Sequence, residues 1–151
     1  VVKEFAMTIA LRLLEAKEME AVHALWKEAG LPFHPNGRDS LERMREEAGD
    51  GRAFYLGAFD AGRLIGVAVG TDEGRKGWIN RLAILPGYRR KGLASELIAW
   101  CENEFARRGR GLVCALVEDW NDASLALMQK EGYALRKDIF YLRKSLRGDD
   151  W

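Results

Sequence analysis

Cysteine is scarce in this chain, with two in 151 residues, Cys101 and Cys114. Two thiols make neither a disulfide framework nor a zinc pattern, so no metal is expected. They read as inert buried thiols, one on a helix stripe and one inside a strand. A reduced, cytoplasmic setting is the default expectation. No apolar run approaches the ~20 residues that a membrane span needs. The opening Val1-Val2-Lys3-Glu4 lacks the charged start, apolar stretch and cleavage site of a signal peptide, and the missing initiator Met reads as a trimmed or engineered start. An excess of one charge is also missing: 24 Lys and Arg against 23 Asp and Glu leave a net +1. That balance argues against a protein that works by neutralising a nucleic-acid backbone. Neither nucleic acid nor membrane is expected as a partner.

What is present is an ordinary globular balance, 48% apolar and 31% charged. The length suits one domain, here 1–151 with a core at 8–145, able to bury roughly 68–70% of its unfolded surface without staples. No linker, repeat or low-complexity stretch interrupts it.

Thr8 to Leu14 is a short apolar run and a first strand. From Glu18 to Gly30 the residues Met19, Val22, Leu25, Trp26 and Ala29 recur at three- and four-residue spacing, one face of a helix stopped by Gly30. Leu31–Gly37 is a loop holding two of the three prolines. Asp39 with Glu42 resembles a capping box opening a second, more polar and therefore outer helix. Ala53–Phe59 and Leu64–Gly70 form a hairpin about Asp60–Arg63, and Trp78–Leu85 is a fourth strand ended by Pro86-Gly87. Gly92–Arg108 is the clearest helix, with Leu93, Leu97, Ile98, Cys101 and Phe105 on one stripe. Leu112–Val117 is almost wholly apolar, as in a strand covered on both faces. Asn121–Glu131 is a helix with Leu125 and Met128 inward, and Tyr133–Ser145 is extended. This order is an α/β pattern on a mixed sheet. Trp26, Trp78, Trp100 and Trp120 have no basic stripe around them, so they read as core or interface residues.

The chemistry concentrates in Leu82-Ala83-Ile84-Leu85-Pro86-Gly87-Tyr88-Arg89-Arg90-Lys91-Gly92-Leu93-Ala94-Ser95. A strand ends, a basic loop follows, and a helix starts at once. The orphan N–H groups and partial positive charge of a helix start favour an anion. Gly92 and Ala94 let a diphosphate approach the backbone, and Arg89, Arg90 and Lys91 add charge. The loop has neither the Gly-Lys-Ser/Thr of a Walker loop nor the three glycines of the dinucleotide fingerprint, which weakens a nucleotide-phosphate enzyme as a reading.

Arg89-Arg90-Lys91-Gly92-Leu93-Ala94 resembles the Gln/Arg-x-x-Gly-x-Gly/Ala signature of the GNAT superfamily of N-acetyltransferases. Asn121-Asp122-Ala123-Ser124 through Gly132-Tyr133 is similar to that family's second block, and the resemblance runs from 8 to 145. It implies an α/β (α+β) single domain: a mixed, mostly antiparallel sheet of six to seven strands, about four flanking helices, and a fourth and fifth strand that splay apart. It implies acetyl-CoA as acyl donor and an amine of a small molecule or peptide as acceptor, attacking the thioester directly. By position, the backbone N–H groups of Arg90, Gly92, Ala94 and Ser95 would hold the diphosphate. Leu82 and Ile84 would present main-chain groups to the pantetheine arm, with Asn121 and Ser124 beside it. The amide of Ala83 or, preferably, Ile84 would polarise the thioester carbonyl.

Two common acid–base positions of the family differ here: the usual Tyr on the second-block helix is Met128 and the usual strand Glu is Leu116. A non-catalytic acyl-CoA-binding module is therefore the competing reading. Glu118, two residues beyond Leu116 and on the same face of a regular strand, is the first choice of base, acting through water. A solvated strand end or a helix cap is the alternative for Glu118 and Asp119. Asn80 is placed to order a water, and His34 and Tyr141 to line the acceptor side, while His23 reads as structural. The segment after Tyr133 contains no Gly, Pro or Asn. It is expected to form one long strand or two short ones, with a homodimer covering the remaining sheet edge.

Overall fold

The computed structural model describes residues 9–148. Five strands and four helices follow in order: β1 (Ile9–Leu13), α1 (Met19–Ala29), α2 (Leu41–Asp50), β2 (Ala53–Asp60), β3 (Arg63–Asp72), β4 (Gly77–Ile84), α3 (Leu93–Arg107), β5 (Val113–Cys114) and α4 (Asp122–Lys130). Short 3-10 turns occupy Ala16–Glu18 and Pro86–Tyr88. Thr8, expected to open the first strand, lies outside the described residues. The strands lie in the order β1-β2-β3-β4-β5, antiparallel except for the parallel β4–β5 contact. The α+β class and the splayed strands hold, with five strands among the described residues instead of six or seven.

Periodicity explains the helices. Met19, Val22, Leu25 and Trp26 are the buried residues of α1, and Gly30, at φ 77°, closes it in the left-handed region. The predicted stripe of α3, Leu93, Leu97, Ile98, Cys101 and Phe105, is buried throughout. In α2 only Met44 is buried, so the helix lies outside as its polar composition requires. Its cap is Ser40, whose Oγ accepts from the Arg43 amide at 3.3 Å, and not Asp39. Asp39 turns inward instead and accepts from the His34 amide at 2.8 Å.

The two sheet faces take different helices. Phe54 points to α3, its ring edge-on to Phe105 at 5.1 Å. The next residue, Tyr55, points to the other face, where it shares a cavity wall with Trp26 of α1 and Met44 of α2. Residues 53–58 of β2 are therefore all buried. The far end of α3 is tied to the end of β3 by ion pairs: Asp72 accepts from Arg110 at 2.7 Å, and Arg108 bridges Asp72 and Glu104.

Two expectations are corrected. Leu112–Val117 is not a strand covered on both faces; only Val113 and Cys114 pair, and Leu112 and Leu116 are more than half exposed. Cys114 is accordingly only half-buried, unlike Cys101, whose thiol burial pushes up to about 12. The segment after Tyr133 forms neither one strand nor two. It bends at Lys137-Asp138, where Arg136 grips Asp138 with two bonds of 2.7 and 2.8 Å, and it joins no ladder.

Gly77 marks where β4 meets β5. A Cβ there would lie 2.3–2.6 Å from the fully buried Phe105 ring. Gly77→Ala is expected to cost about 1–3 kcal/mol by overpacking, read as a lower urea midpoint at unchanged slope. An unchanged midpoint would contradict this packing.

Candidate active site

The site begins with an interrupted ladder. β4 pairs with β3 from Gly77 to Ile84, yet with β5 only at Gly77↔Val113 and Trp78↔Cys114. From Ile79 onward the outer edge of β4 has no strand beside it among the described residues. Leu82, Ala83 and Ile84, the residues expected at the acyl donor's arm, lie on this stretch. Leu85 donates its amide to Ile65 at 2.9 Å, and Ala83 pairs with Val67. The peptide groups of Ile84 therefore face away from β3, into the gap. Its carbonyl is already taken by Arg89 Nε at 2.8 Å, which leaves its N–H pointing outward.

A bulge interrupts the β3 side of the same strand. Val69↔Asn80 and Val67↔Ala83 leave Arg81 and Leu82 opposite the single residue Ala68, and Arg81 sits at φ 47°. For a residue with a long side chain that conformation is strained, and bulges of this kind re-aim side chains beside active sites. Here the bulge sends Arg81 across the sheet face. Its guanidinium donates to Asp39 Oδ2 and to the Pro32 carbonyl, both at 2.8 Å, and lies 5.1 Å over the Trp26 ring. Burial lowers the Arg81 pKa and Asp39 opposes that shift.

Beside this pair opens a cavity of about 420 Å³ whose walls include Glu47, Tyr55, Asn80, Arg81, Leu116 and Glu118. Glu118, the predicted base, faces it from the continuation of β5. Asn80 is fixed by donating Nδ2 to Thr71 Oγ1 at 2.8 Å. Burial raises the Glu47 pKa, with Arg52 pulling the other way. Burial, reinforced by Glu47, raises that of Tyr55. The buried indole Nε1 of Trp26, in the same wall, has no hydrogen-bond partner among the described residues. The cavity thus joins apolar surface to ionisable groups in several protonation environments, the composition of a small-molecule site.

The other end of the gap is the start of α3. The loop leading to it places Arg90 at φ 62° and Gly92 at φ 82°, and Gly92 caps the helix with no side-chain bond to its first amides. A Cβ on Gly92 would meet nothing, so the approach to these amides is open. Arg90 and Lys91 are exposed, Ala94 is half-buried and Leu93 is core. The Arg89 side chain serves the fold: it bonds Ile84 and, at 2.9 Å, the Ala29 carbonyl at the end of α1. The Ser95 hydroxyl donates to Glu131 just beyond α4, which ties the end of that helix to the first turn of α3. Asn121 caps α4, its Oδ1 accepting from the Ser124 amide at 3.1 Å. Met128 is buried.

Leu82, Ala83 and Ile84 thus border the gap, 90–95 lie at the start of α3 that follows it, Asn121 and Ser124 form the cap of α4, and Glu118 lines the cavity. His34 and Tyr141 do not line that cavity. His34 holds the 34–39 turn, and Tyr141 borders a second cavity with Arg38 and Arg43. His23 is structural, with Nε2 2.7 Å from the Asp39 carbonyl oxygen. Sequence reasoning missed Arg81, Asp39, Glu47 and Tyr55. One signal was present: Asn80-Arg81 places two polar residues in succession inside an otherwise apolar strand.

The sequence profile of the Acetyltransferase (GNAT) family matches residues 19–133. An acetyltransferase of Sodalis glossinidius (strain morsitans) is 28% identical over 141 residues, covering 92% of this chain and 96% of its own. Among solved structures, AAC(6')-Iy in complex with a bisubstrate analogue of CoA and monomethyl-acetylneamine superposes with a TM-score of 0.78 at 20% identity, covering 91% of this chain and 98% of that one. The PaiA N-acetyltransferase of Thermoplasma acidophilum with coenzyme A gives a TM-score of 0.75 at 19% identity, covering 85% and 91%. At these identities the structural likeness establishes the fold.

The raised pKa of Glu47 has a consequence for stability. A carboxyl whose folded pKa exceeds its unfolded value binds more protons in the native state, so stability falls as pH rises through that window. Glu47→Gln mimics the protonated form. It is expected to leave Tm unchanged near pH 4 and to raise it at pH 7. A Tm lowered at pH 7 would contradict the burial argument.

Proposed function

The chain belongs to the GNAT acetyltransferase family, and on that premise we propose that it transfers an acetyl group from acetyl-CoA to a primary amine of a small molecule. The observation that carries the reading is the parting of β4 from β5 between an open helix start and a cavity with a carboxylate in its wall. The amides of Arg90, Gly92, Ala94 and Ser95 bind the diphosphate at the start of α3, where the helix dipole favours negative charge. The edge of β4 at Leu82 and Ile84 holds the pantetheine arm as a second strand would, with Asn121 and Ser124 closing the other side. The outward Ile84 N–H supports its role, in preference to Ala83, in polarising the thioester carbonyl.

The acceptor occupies the cavity. An amine attacks only when neutral, and Glu118 takes its proton through a bound water positioned with Asn80. Met128 has no proton to give, so the departing thiolate is protonated by solvent; a CoA thiolate is a good enough leaving group for that. A cavity of about 420 Å³ lies in the range for small molecules. The solved relatives named with aminoglycoside-type ligands support an amine acceptor of that size. The enzymatic reading fits the cavity better than a non-catalytic acyl-CoA-binding module, which has no use for an acceptor site. No described helix is long and apolar enough to cross a membrane. The reading places the enzyme in the cytoplasm as a homodimer, supported by two unpaired thiols and by the open edge of β5.

Free-thiol release from acetyl-CoA with a panel of amines tests the proposal. Amine-dependent release supports it, whereas CoA binding by thermal shift without turnover favours the binding module. Gly92→Val, strained at φ 82° and bulky where the diphosphate approaches, is expected to weaken CoA at least about tenfold in the folded protein. Unchanged affinity would refute the diphosphate site. Glu118→Gln is expected to lower turnover by roughly 10²-fold with CoA affinity unchanged, the loss shrinking at high pH where the amine is already neutral. Wild-type turnover would remove Glu118 from the mechanism.

A further inference from the structure

Glu131 sits where its own helix disfavours it. It is the C-cap of α4, and the partial negative charge of a helix end repels a carboxylate. Lys130, the residue before it, has the sign that end favours. Glu131 has no ion-pair partner among the described residues. Its carboxylate instead accepts from the Ser95 hydroxyl. Ser95 is the third residue of α3, so the carboxylate rests on the first turn of that helix, at the end whose partial charge is positive. Glu131 is thus repelled by the end of one helix and held by the start of another.

The same turn is the proposed diphosphate site. In sequence the loop before it is strongly basic, but the folded charge is smaller. The Arg89 guanidinium is directed to the carbonyls of Ile84 and Ala29. Glu96 lies in the first turn of α3, and Glu131 brings a second carboxylate to it from α4. Arg90 and Lys91, both exposed, are left to oppose these two. An anion approaching the amides of α3 therefore meets a carboxylate already bound there.

We infer that Glu131 sets the affinity of the acyl-donor site: its carboxylate occupies the first turn of α3 in the free protein as a stand-in anion, and the diphosphate displaces it. The Ser95 hydroxyl then exchanges a carboxylate oxygen for a diphosphate oxygen, one hydrogen bond for another. Glu131 loses the favourable helix start and gains a like charge beside it. That cost falls equally on acetyl-CoA and CoA, because both carry the same diphosphate. It is uniform weakening, which leaves the chemical step alone and speeds the release of CoA. The exchange needs only a side-chain turn. Tyr133 Oη donates to Glu102 of α3 at 2.8 Å and Met128 is buried, so α4 keeps its place without the Ser95 bond. The inference rests on the diphosphate site of the proposed function.

Calorimetric titration of the full chain with CoA, at low and at high salt, tests it. Glu131→Gln removes the charge and keeps an oxygen that accepts from Ser95. It is expected to bind CoA about fivefold more tightly than the wild type at about 0.05 M salt, the gain shrinking below about twofold at 0.5 M as the charges are screened. Unchanged or weaker binding by the folded variant overturns the inference, as does a gain that high salt leaves intact. Glu131→Ala, which removes charge and hydrogen bond together, is the second variant and decides alone if the first does not fold. It is expected to bind CoA at least as tightly as the wild type. Weaker binding would mean that Glu131 only ties α4 to α3, and overturns the inference. Gly92→Val separates the two levels of the argument. If it weakens CoA while neither Glu131 variant tightens it, the diphosphate site stands and the role of Glu131 falls. If it leaves CoA affinity unchanged, the diphosphate site falls and the inference with it.

Discussion

The parting of β4 and β5 after two paired residues is the constraint on which the rest of this structure depends. A strand edge left open inside a sheet is costly, because each unsatisfied N–H and C=O has lost water without gaining a partner. The protein tolerates it by holding β4 firmly on its other side. β3 pairs along the whole strand, the Arg89 side chain satisfies the Ile84 carbonyl, and α1 and α3 cover the two faces. The gap is thus bordered by a strand that is paired on its inner side, with the Ile84 N–H turned outward. Such a donor is in place before a substrate arrives.

The bulge at Arg81 belongs to the same device. A regular strand would keep successive side chains alternating and leave Arg81 no route across the sheet face. One extra residue turns it toward Asp39, and the pair fixes the 34–39 turn against β4. The strain at φ 47° is offset by hydrogen bonds to Asp39 and Pro32 and by the contact with Trp26. The cavity beside Arg81 and the gap beyond β4 are therefore both bordered by residues of one strand.

Much of this was legible in the sequence. Helix faces followed from spacing, and the stripe of α3 is buried residue for residue. The start of α3 was legible because it is local: strand, glycine-containing loop and helix are consecutive. The cavity was not, because its walls come from α1, α2, β2, β3, β4 and the stretch after β5, and no short motif records their meeting. Asp39 illustrates the difference. Its spacing to Glu42 fits a helix cap, but a buried cation from β4 binds it more strongly than an orphan amide, and Ser40 takes the cap. The strand after Tyr133 was misread for the opposite reason. Its residues favour a strand, but a strand exists only where it pairs with an edge, and among the described residues the segment bends at Lys137-Asp138 and pairs with none.

The central claim is that the acyl donor lies in the slot between β4 and β5 with its diphosphate on α3. Amide hydrogen exchange, residue by residue, with and without acetyl-CoA addresses it most directly. The account predicts new protection at Ile84 and at 90–95, with β1 and β2 unchanged. Binding that protects neither Ile84 nor the first turn of α3, or that protects a different surface, would contradict it.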